Sequence, residues 1–218
     1  MPCCTEEVRE QVLRFMGYRD PQNAPRWIEA LIADKLPVAE SVCTPTENST
    51  IVTAEDCSDR ICELVDSETD FDAVAFILVS LGQGLEKKVS SILSNGHTVE
   101  ALVLDAIGTV MLFNMAAELI ERVYEEGTDC GLYPLMRIEP GQRNIPLALH
   151  RDILENLPAV KEIVSLSDSL MLNPKKSLST VLLLSRQKNE EFSDKGCEGC
   201  AMENCQFRKS KERDIAED

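Results

Sequence analysis

The chain has 218 residues and a net charge of −16, with 44% hydrophobic and 28% charged residues. These values are typical of a soluble globular protein that is long enough to bury a large core. The strong negative charge argues against nucleic acid and anionic membranes as partners, because both would repel it. We therefore expect the partner to be a protein or a small molecule.

The first twenty residues are polar and periodic, and they lack the basic segment followed by an apolar run that defines a signal peptide. We therefore expect a cytoplasmic protein. The chain divides into three predicted parts: a helical lead-in over residues 1–37, a core of strands and helices over residues 38–186 and a cysteine-rich tail over residues 187–218.

Two helices are predicted at the start of the chain. Thr5 is a suitable N-cap for the first helix, and Gly17 is a suitable residue to end it. The second helix begins by Pro25 and should stop at Pro37, because proline removes a helix hydrogen bond and clashes with the preceding turn. Residues 38–54 then have the pattern of an edge strand or of a pair of short strands.

A central strand is predicted over residues 72–81, whose sequence DAVAFILVSL is a near-continuous apolar run. Gly82 and Gly84 follow it and precede a helix. This arrangement resembles a dinucleotide-binding loop, but Lys87 occupies the position of the third glycine. A strand-to-helix turn that uses glycine is the favoured interpretation.

The longest predicted helix covers residues 98–126 and is stopped by Gly127. Its first twenty residues are apolar almost all round, which fits either a helix packed on several sides or a membrane span. Asp105 and Asn114 would lie within such a span, and no basic flank accompanies it. We therefore predict a core helix.

Residues 132–186 have the pattern of strand, tight turn, helix, strand, turn and strand. The tight turn is Glu139-Pro140-Gly141, where proline fixes φ and glycine tolerates positive φ. Arg137 lies just before it. Its guanidinium would either contact a ligand in the concave side of the sheet or form a salt bridge that anchors the turn.

Nine cysteines in a reducing compartment are a poor match to a disulfide framework. Four of them, at positions 43, 57, 62 and 130, are predicted to be small core residues, and Cys3 and Cys4 lie at the N-terminal end. The remaining three form the motif Cys197-x2-Cys200-x4-Cys205 in a segment with almost no aliphatic residues.

The spacing of this motif allows its thiolates to chelate one ion or cluster. We predict a metal site made by Cys197, Cys200 and Cys205, either an iron–sulfur cluster or zinc. A fourth ligand would come from Cys3, Cys4 or a partner protein, because His97 and His150 are distant in sequence.

Four further motifs carry a family resemblance that extends from about Val8 to Arg186. They are Arg137-x-x-Pro140-Gly141, Ser80-Leu81-Gly82, a helix from Leu104-Asp105-Ala106 to Glu121-Arg122-Val123, and Ser169-Leu170-Met171-x-x-Pro174-x-Lys176-Ser177. With these motifs the chain resembles the reactivation domain of vitamin B12-dependent methionine synthase and its free-standing, corrinoid-associated bacterial relatives. The tail sequence CEGCAMENCQFR resembles the cysteine-rich tails of the free-standing members.

The resemblance implies an α+β fold with a curved antiparallel sheet and packed helices. It also implies an S-adenosylmethionine site that faces a cobalamin domain, so that inactive cob(II)alamin is reduced and remethylated. The implied ligand-binding residues are Arg137, Pro140, Gly141 and Gln142. The family has Tyr where this chain has Gln142, and a helix Glu where an ungapped match places Phe113. These departures predict weak or absent binding of S-adenosylmethionine.

The sequence is thus interpreted as an accessory factor that reactivates a corrinoid protein or a cobalamin-dependent methyltransferase. A Cys-ligated iron–sulfur cluster would deliver an electron to the partner's Co(II) corrinoid. Two alternatives stay open: a non-catalytic protein that binds a small ligand and holds structural zinc in its tail, and a plain S-adenosylmethionine-dependent activation domain.

Overall fold

A four-stranded antiparallel sheet is the middle layer of the fold, in a computed structural model that describes residues 6–65, 69–142 and 145–188. Its strand order is β1-β2-β6-β3, and a two-stranded hairpin, β4-β5, lies apart from it. The strands are β1 (Thr46–Thr53), β2 (Ala73–Ser80), β3 (Tyr133–Ile138), β4 (Ser165–Leu166), β5 (Leu172–Asn173) and β6 (Ser177–Ser185). The helices are α1 (Glu6–Phe15), α2 (Arg26–Val42), α3 (Asp59–Leu64), α4 (Gly84–Ser94), α5 (Thr98–Asp129) and α6 (Leu149–Asn156).

Alternate residues of β2 belong to two different hydrophobic cores. Ala75 and Ile77 pack on the side of the sheet that carries α1, α2, α4 and α5. Phe76 and Leu78 pack on the opposite side, where α3 and α6 lie. Because successive side chains of a strand point to opposite faces, a strand covered on both faces must be apolar throughout. The apolar run therefore predicted this strand correctly.

The long helix α5 is the main element of the first core. It packs against α1, α2, α4 and β2. Within the described residues it is the one helix that is long and apolar enough to cross a membrane, but 61% of its apolar window is buried inside the protein. Its polar residues also have partners: Asp105 pairs with Lys176 at 2.9 Å, and the side chain of Asn114 donates to Gln11 at 3.0 Å. These features are those of a core helix.

Two predicted helix ends are wrong. Helix α2 continues through Pro37 to Val42, since Leu36 and Ala39 on either side of the proline are both buried in the core. Helix α5 continues past Gly127, which is itself buried.

Beyond helix α5, the backbone turns at Gly131, with a φ of 73°. The N–H of Leu132 then donates to the carbonyl of Gly127 at 2.8 Å. A glycine with positive φ, followed by an N–H that donates back to a carbonyl of the last helical turn, is a common way for a helix to end.

Three other segments can be compared with their predictions. Strand β1 is an edge strand, in agreement with the pattern of residues 38–54. The strand predicted after the helix in residues 132–186 is only two residues long, Ser165–Leu166. The predicted N-cap, Thr5, lies outside the described residues.

The turn at Gly82 and Gly84 is shaped by close packing. Gly82 has a φ of 72°, and a Cβ built on Gly84 would lie 1.9 Å from the carbonyl oxygen of Val42 at the end of α2. Neither glycine lines the main cavity of the described chain. The strand-to-helix interpretation of this motif therefore has a packing reason, because α2 can approach the turn only where side chains are missing.

We expect Gly84→Ala to lower the free energy of unfolding by at least about 2 kcal/mol, because the backbone of Val42 cannot move away without displacing α2. Gly108→Ala in α5 is the control. Its Cβ would meet the end of the Leu85 side chain, which can change rotamer, and the helix gains about 1 kcal/mol of propensity. Urea unfolding measures both variants, and an equal or smaller loss for Gly84→Ala would contradict this packing argument.

Candidate functional site

A cavity with a volume of about 720 Å³ is present among the described residues. It lies between the turn that follows β3, helix α6, the β4-β5 hairpin and the start of β6. Its size is in the range of small-molecule sites. The lining residues are Glu139, Pro140, Gln142, Leu147, His150, Leu166, Ser167, Ser169, Met171, Leu172, Asn173, Lys175, Ser177, Leu178 and Ser179.

The turn after β3 forms one wall of this cavity. Gly141 has a φ of 82°, as the Pro-Gly pair predicted, and its N–H donates to the carbonyl of Ile145 at 3.0 Å. A Cβ at this position would also meet Leu147 at 3.0 Å. Glycine is thus required by the backbone conformation and by the close approach of Leu147. Pro140 and Gln142, on either side of it, line the cavity.

Arg137 is connected to the cavity through Glu139 and is not itself part of the lining. In the sheet register Arg137 lies opposite Leu182, which packs in the core on the α5 side. Its guanidinium forms a salt bridge with the carboxylate of Glu139, and the side-chain amide of Gln142 donates to the same carboxylate. The geometry agrees with the predicted anchoring salt bridge. A ligand-binding role for Arg137, Pro140, Gly141 and Gln142 stays a prediction.

His150 projects from α6 into the cavity wall and is 6% exposed. Its Nδ1 lies 2.7 Å from the carbonyl oxygen of Leu170, so we assign the proton to Nδ1. Burial lowers the pKa of His150, and the bond to Leu170 opposes that effect only in part. The ring is therefore neutral at pH 7, and its Nε2 is an acceptor. Sequence reasoning did not find this residue as a cavity residue.

A second polar group in the lining is the hydroxyl of Ser179 on β6. Ser179 is 5% exposed, and its Oγ has no hydrogen-bond partner within the described part of the chain. Its neighbour on the same strand face, Ser177, donates to Ser80 at 2.8 Å. Most buried polar groups are paired, so this hydroxyl beside the cavity is an exception.

The start of β6 is held in place by residues of α4 and α5. The carboxylate of Glu86 accepts the backbone N–H groups of Lys175 and Lys176, the latter at 3.2 Å. The ammonium of Lys176 lies 2.9 Å from Asp105 and 2.6 Å from the hydroxyl of Thr109. These bonds cross from the first core to the cavity side, so they fix the wall that carries Ser177 and Ser179.

The structure does not bring every candidate residue to the cavity. Phe113 lies on α5, is 49% exposed and packs against Phe15 with ring centroids 6.2 Å apart, away from the residues that line the cavity. Cys197, Cys200 and Cys205 lie outside the described residues, as do Cys3 and Cys4. In the described part, no group of three or more His, Cys, Asp or Glu residues is placed to hold a metal.

The four described cysteines differ in exposure. Cys43 and Cys57 are half-buried, as small core residues would be. Cys62 and Cys130 are exposed, so the prediction that they are core residues is wrong. Cys62 lies on a short helix with one buried residue, Ile61, and Cys130 lies where α5 ends.

No known family model and no curated protein matches this chain. A solved structure does: the crystal structure of the MetH reactivation domain bound to AdoHcy, with a TM-score of 0.59 and 16% identity. The match covers 85% of this chain and 76% of that chain. This chain has the fold of the MetH reactivation domain.

The shared fold confirms the expected α+β class, with an antiparallel sheet and packed helices. It also confirms the resemblance drawn from the Arg-x-x-Pro-Gly turn and its companion motifs, at the level of architecture. An identity of 16% establishes no more than this. The ligand in that structure belongs to the MetH domain, and the roles of the corresponding residues here are matters for experiment.

The lowered pKa of His150 predicts a pH dependence of stability. The unfolded chain takes up a proton as the pH falls through about 6.5, whereas the folded protein resists it. The contribution of the neutral ring to stability is therefore full above that pH and is lost as the pH falls below it. We expect His150→Gln, which keeps a donor for Leu170, to lose less stability than the parent between pH 7.5 and 5.0. Urea unfolding at both pH values measures this difference, and equal losses would contradict it.

Proposed function

We propose that this protein is an accessory factor that reactivates a corrinoid protein or a cobalamin-dependent methyltransferase. The supporting observation is the likeness in fold to the MetH reactivation domain over 85% of the chain. A cavity of about 720 Å³ beside the Arg137–Gln142 turn adds a ligand site to that framework. The net charge of −16 suits docking to a partner with a basic surface.

In this proposal the tail and the core have separate roles. Cys197, Cys200 and Cys205 would hold an iron–sulfur cluster, with a fourth ligand from elsewhere, and the cluster supplies one-electron reduction. Zinc suits the same thiolates, but it has no redox chemistry. The electron would reduce the partner's Co(II) corrinoid to Co(I), and an external reductant would restore the donor. The α+β core would position the partner.

The cavity would hold an adenosyl-type ligand, a proposal that draws on the AdoHcy in the related structure. Pro140 and the neutral His150 in its lining provide apolar surface and one acceptor. Gln142, where the resembling family has Tyr, removes an aromatic surface for the adenosine. We therefore expect binding to be weak.

A second candidate function is a non-catalytic protein that binds a small ligand and holds structural zinc in its tail. The observation in its favour is the buried hydroxyl of Ser179, a lining residue, which has no partner among the described residues, so that a small ligand would supply the missing polar contact without any partner protein. Metal content separates the two functions, because only the first requires iron.

Calorimetry with S-adenosylhomocysteine tests the ligand. We expect Gln142→Tyr to bind it about fivefold more tightly than the parent, because one aromatic contact contributes on the order of 1 kcal/mol. Gln142→Leu, which adds apolar bulk without an aromatic face, is the matched control. Tight binding by the parent, with no gain in Gln142→Tyr, would show that the departure at Gln142 does not weaken the site.

Anaerobic purification followed by analysis of iron, sulfide and zinc tests the electron-transfer function. We expect a brown protein whose visible absorption bleaches on reduction and which reduces a Co(II) corrinoid protein. Replacing Cys197, Cys200 and Cys205 together with Ser should abolish colour and reduction, while the thermal midpoint of the core is unchanged. Cys130→Ser, an exposed cysteine outside the tail, should keep both. A colourless protein that carries zinc after iron reconstitution would overturn the mechanism.

A further inference from the structure

Cys57 and Cys62 flank the beginning of helix α3. Ser58 is the N-cap of this helix and Asp59 is its first residue, so Cys57 immediately precedes the cap and Cys62 is the fourth helical residue. Side chains at these two positions meet across the first turn in many helices, where apolar residues form a staple. Here both positions carry thiols, and the Cys62 thiol is near enough to contribute to the raised pKa of Cys57.

The start of α3 lacks the usual stabilising bond from its N-cap. The hydroxyl of Ser58 is buried, makes no cap hydrogen bond and has no partner in the described residues. An N-cap hydroxyl normally accepts a backbone N–H of the first turn. The contact between Cys57 and Cys62 is therefore the side-chain link that spans this turn.

The two thiols differ in their access to solvent. Cys62 is exposed, whereas Cys57 is half-buried. Burial, and to a smaller extent the nearby Cys62, raise the pKa of Cys57 to about 11. Cys57 is thus held as a thiol, and the solvent-facing Cys62 is the group that a dissolved oxidant meets first.

We propose that Cys57 and Cys62 form a reversible intramolecular disulfide when the protein meets hydrogen peroxide. The Cys62 sulfur attacks one peroxide oxygen, the O–O bond breaks, and sulfenic acid and one water result. The Cys57 sulfur then attacks the Cys62 sulfur, the S–O bond breaks, and a second water leaves. Two thiols lose two protons and two electrons in total, and one peroxide becomes two waters.

The cysteine pair lies next to a residue that contacts α6, the helix in the cavity wall. Arg60 lies between the two cysteines, and its guanidinium contacts the carbonyl of Ala148 at 3.0 Å and the carboxylate of Asp152 at 2.5 Å. Both partners are at the start of α6, the helix that carries His150 into the cavity wall. A covalent link across residues 57–62 therefore restrains the segment that contacts α6. This site is independent of the proposed corrinoid function.

Peptide mapping of the full chain tests the proposal directly. Trypsin cleaves after Arg60, which separates Cys57, in residues 36–60, from Cys62, in residues 61–87. Cys43 shares the first peptide, so the experiment uses Cys43→Ser as the parent. The reduced protein is treated with hydrogen peroxide, free thiols are alkylated, and the digest is analysed without reductant.

We expect the two peptides to be joined, with a mass two hydrogens below their sum, in most molecules. Dithiothreitol should separate them, and Cys57→Ser or Cys62→Ser in the same parent should abolish the link. The oxidised parent should also show a higher thermal midpoint that returns to its former value on reduction. Recovery of both peptides with alkylated cysteines, or of Cys62 joined to a cysteine other than Cys57, would overturn the proposal.

Discussion

The fold depends on the burial of β2 from both sides. All eight residues of this strand are buried, and alternate side chains enter the core under α5 and the core under α6. Each large apolar side chain so buried contributes about 1.5–3 kcal/mol relative to exposure. Neither layer of helices can be removed without exposing half of the strand to water. The two layers are therefore energetically linked through the sheet between them.

The cavity is formed where this two-sided covering becomes irregular. On the α6 side the sheet is covered by two short helices, α3 and α6, and by the β4-β5 hairpin, which forms a separate two-stranded sheet. Bonds from Glu86, Asp105 and Thr109 reach the start of β6 from helices of the other layer. The better-packed layer thus holds one wall of the cavity, which gives the site a rigid support.

Local patterns in the sequence predict the framework but not the cavity. The apolar run of β2 and the Pro-Gly turn depend on near neighbours, so both are visible in the sequence. The end of α2 was missed because tertiary packing around Pro37 overrides a local rule. Glu139, His150 and Ser179 lie on three separate elements, and no spacing or motif in the sequence connects them. Only the packing of β3, α6 and β6 brings them together.

Because Arg137 forms a salt bridge with Glu139, an anionic ligand would have to compete with the Glu139 carboxylate for the Arg137 guanidinium. The Glu139 carboxylate already occupies the guanidinium of Arg137 and the amide of Gln142, and it is tethered two residues away. A tethered group acts at a high effective concentration, so a free carboxylate or phosphate must displace it before it can reach Arg137. In the proposed ligand site, the turn would therefore disfavour simple anions and favour molecules that bring enough apolar contact in the cavity to offset that displacement. The Glu139 carboxylate, which occupies the position of a ligand's anionic group, would then set which ligands the site accepts.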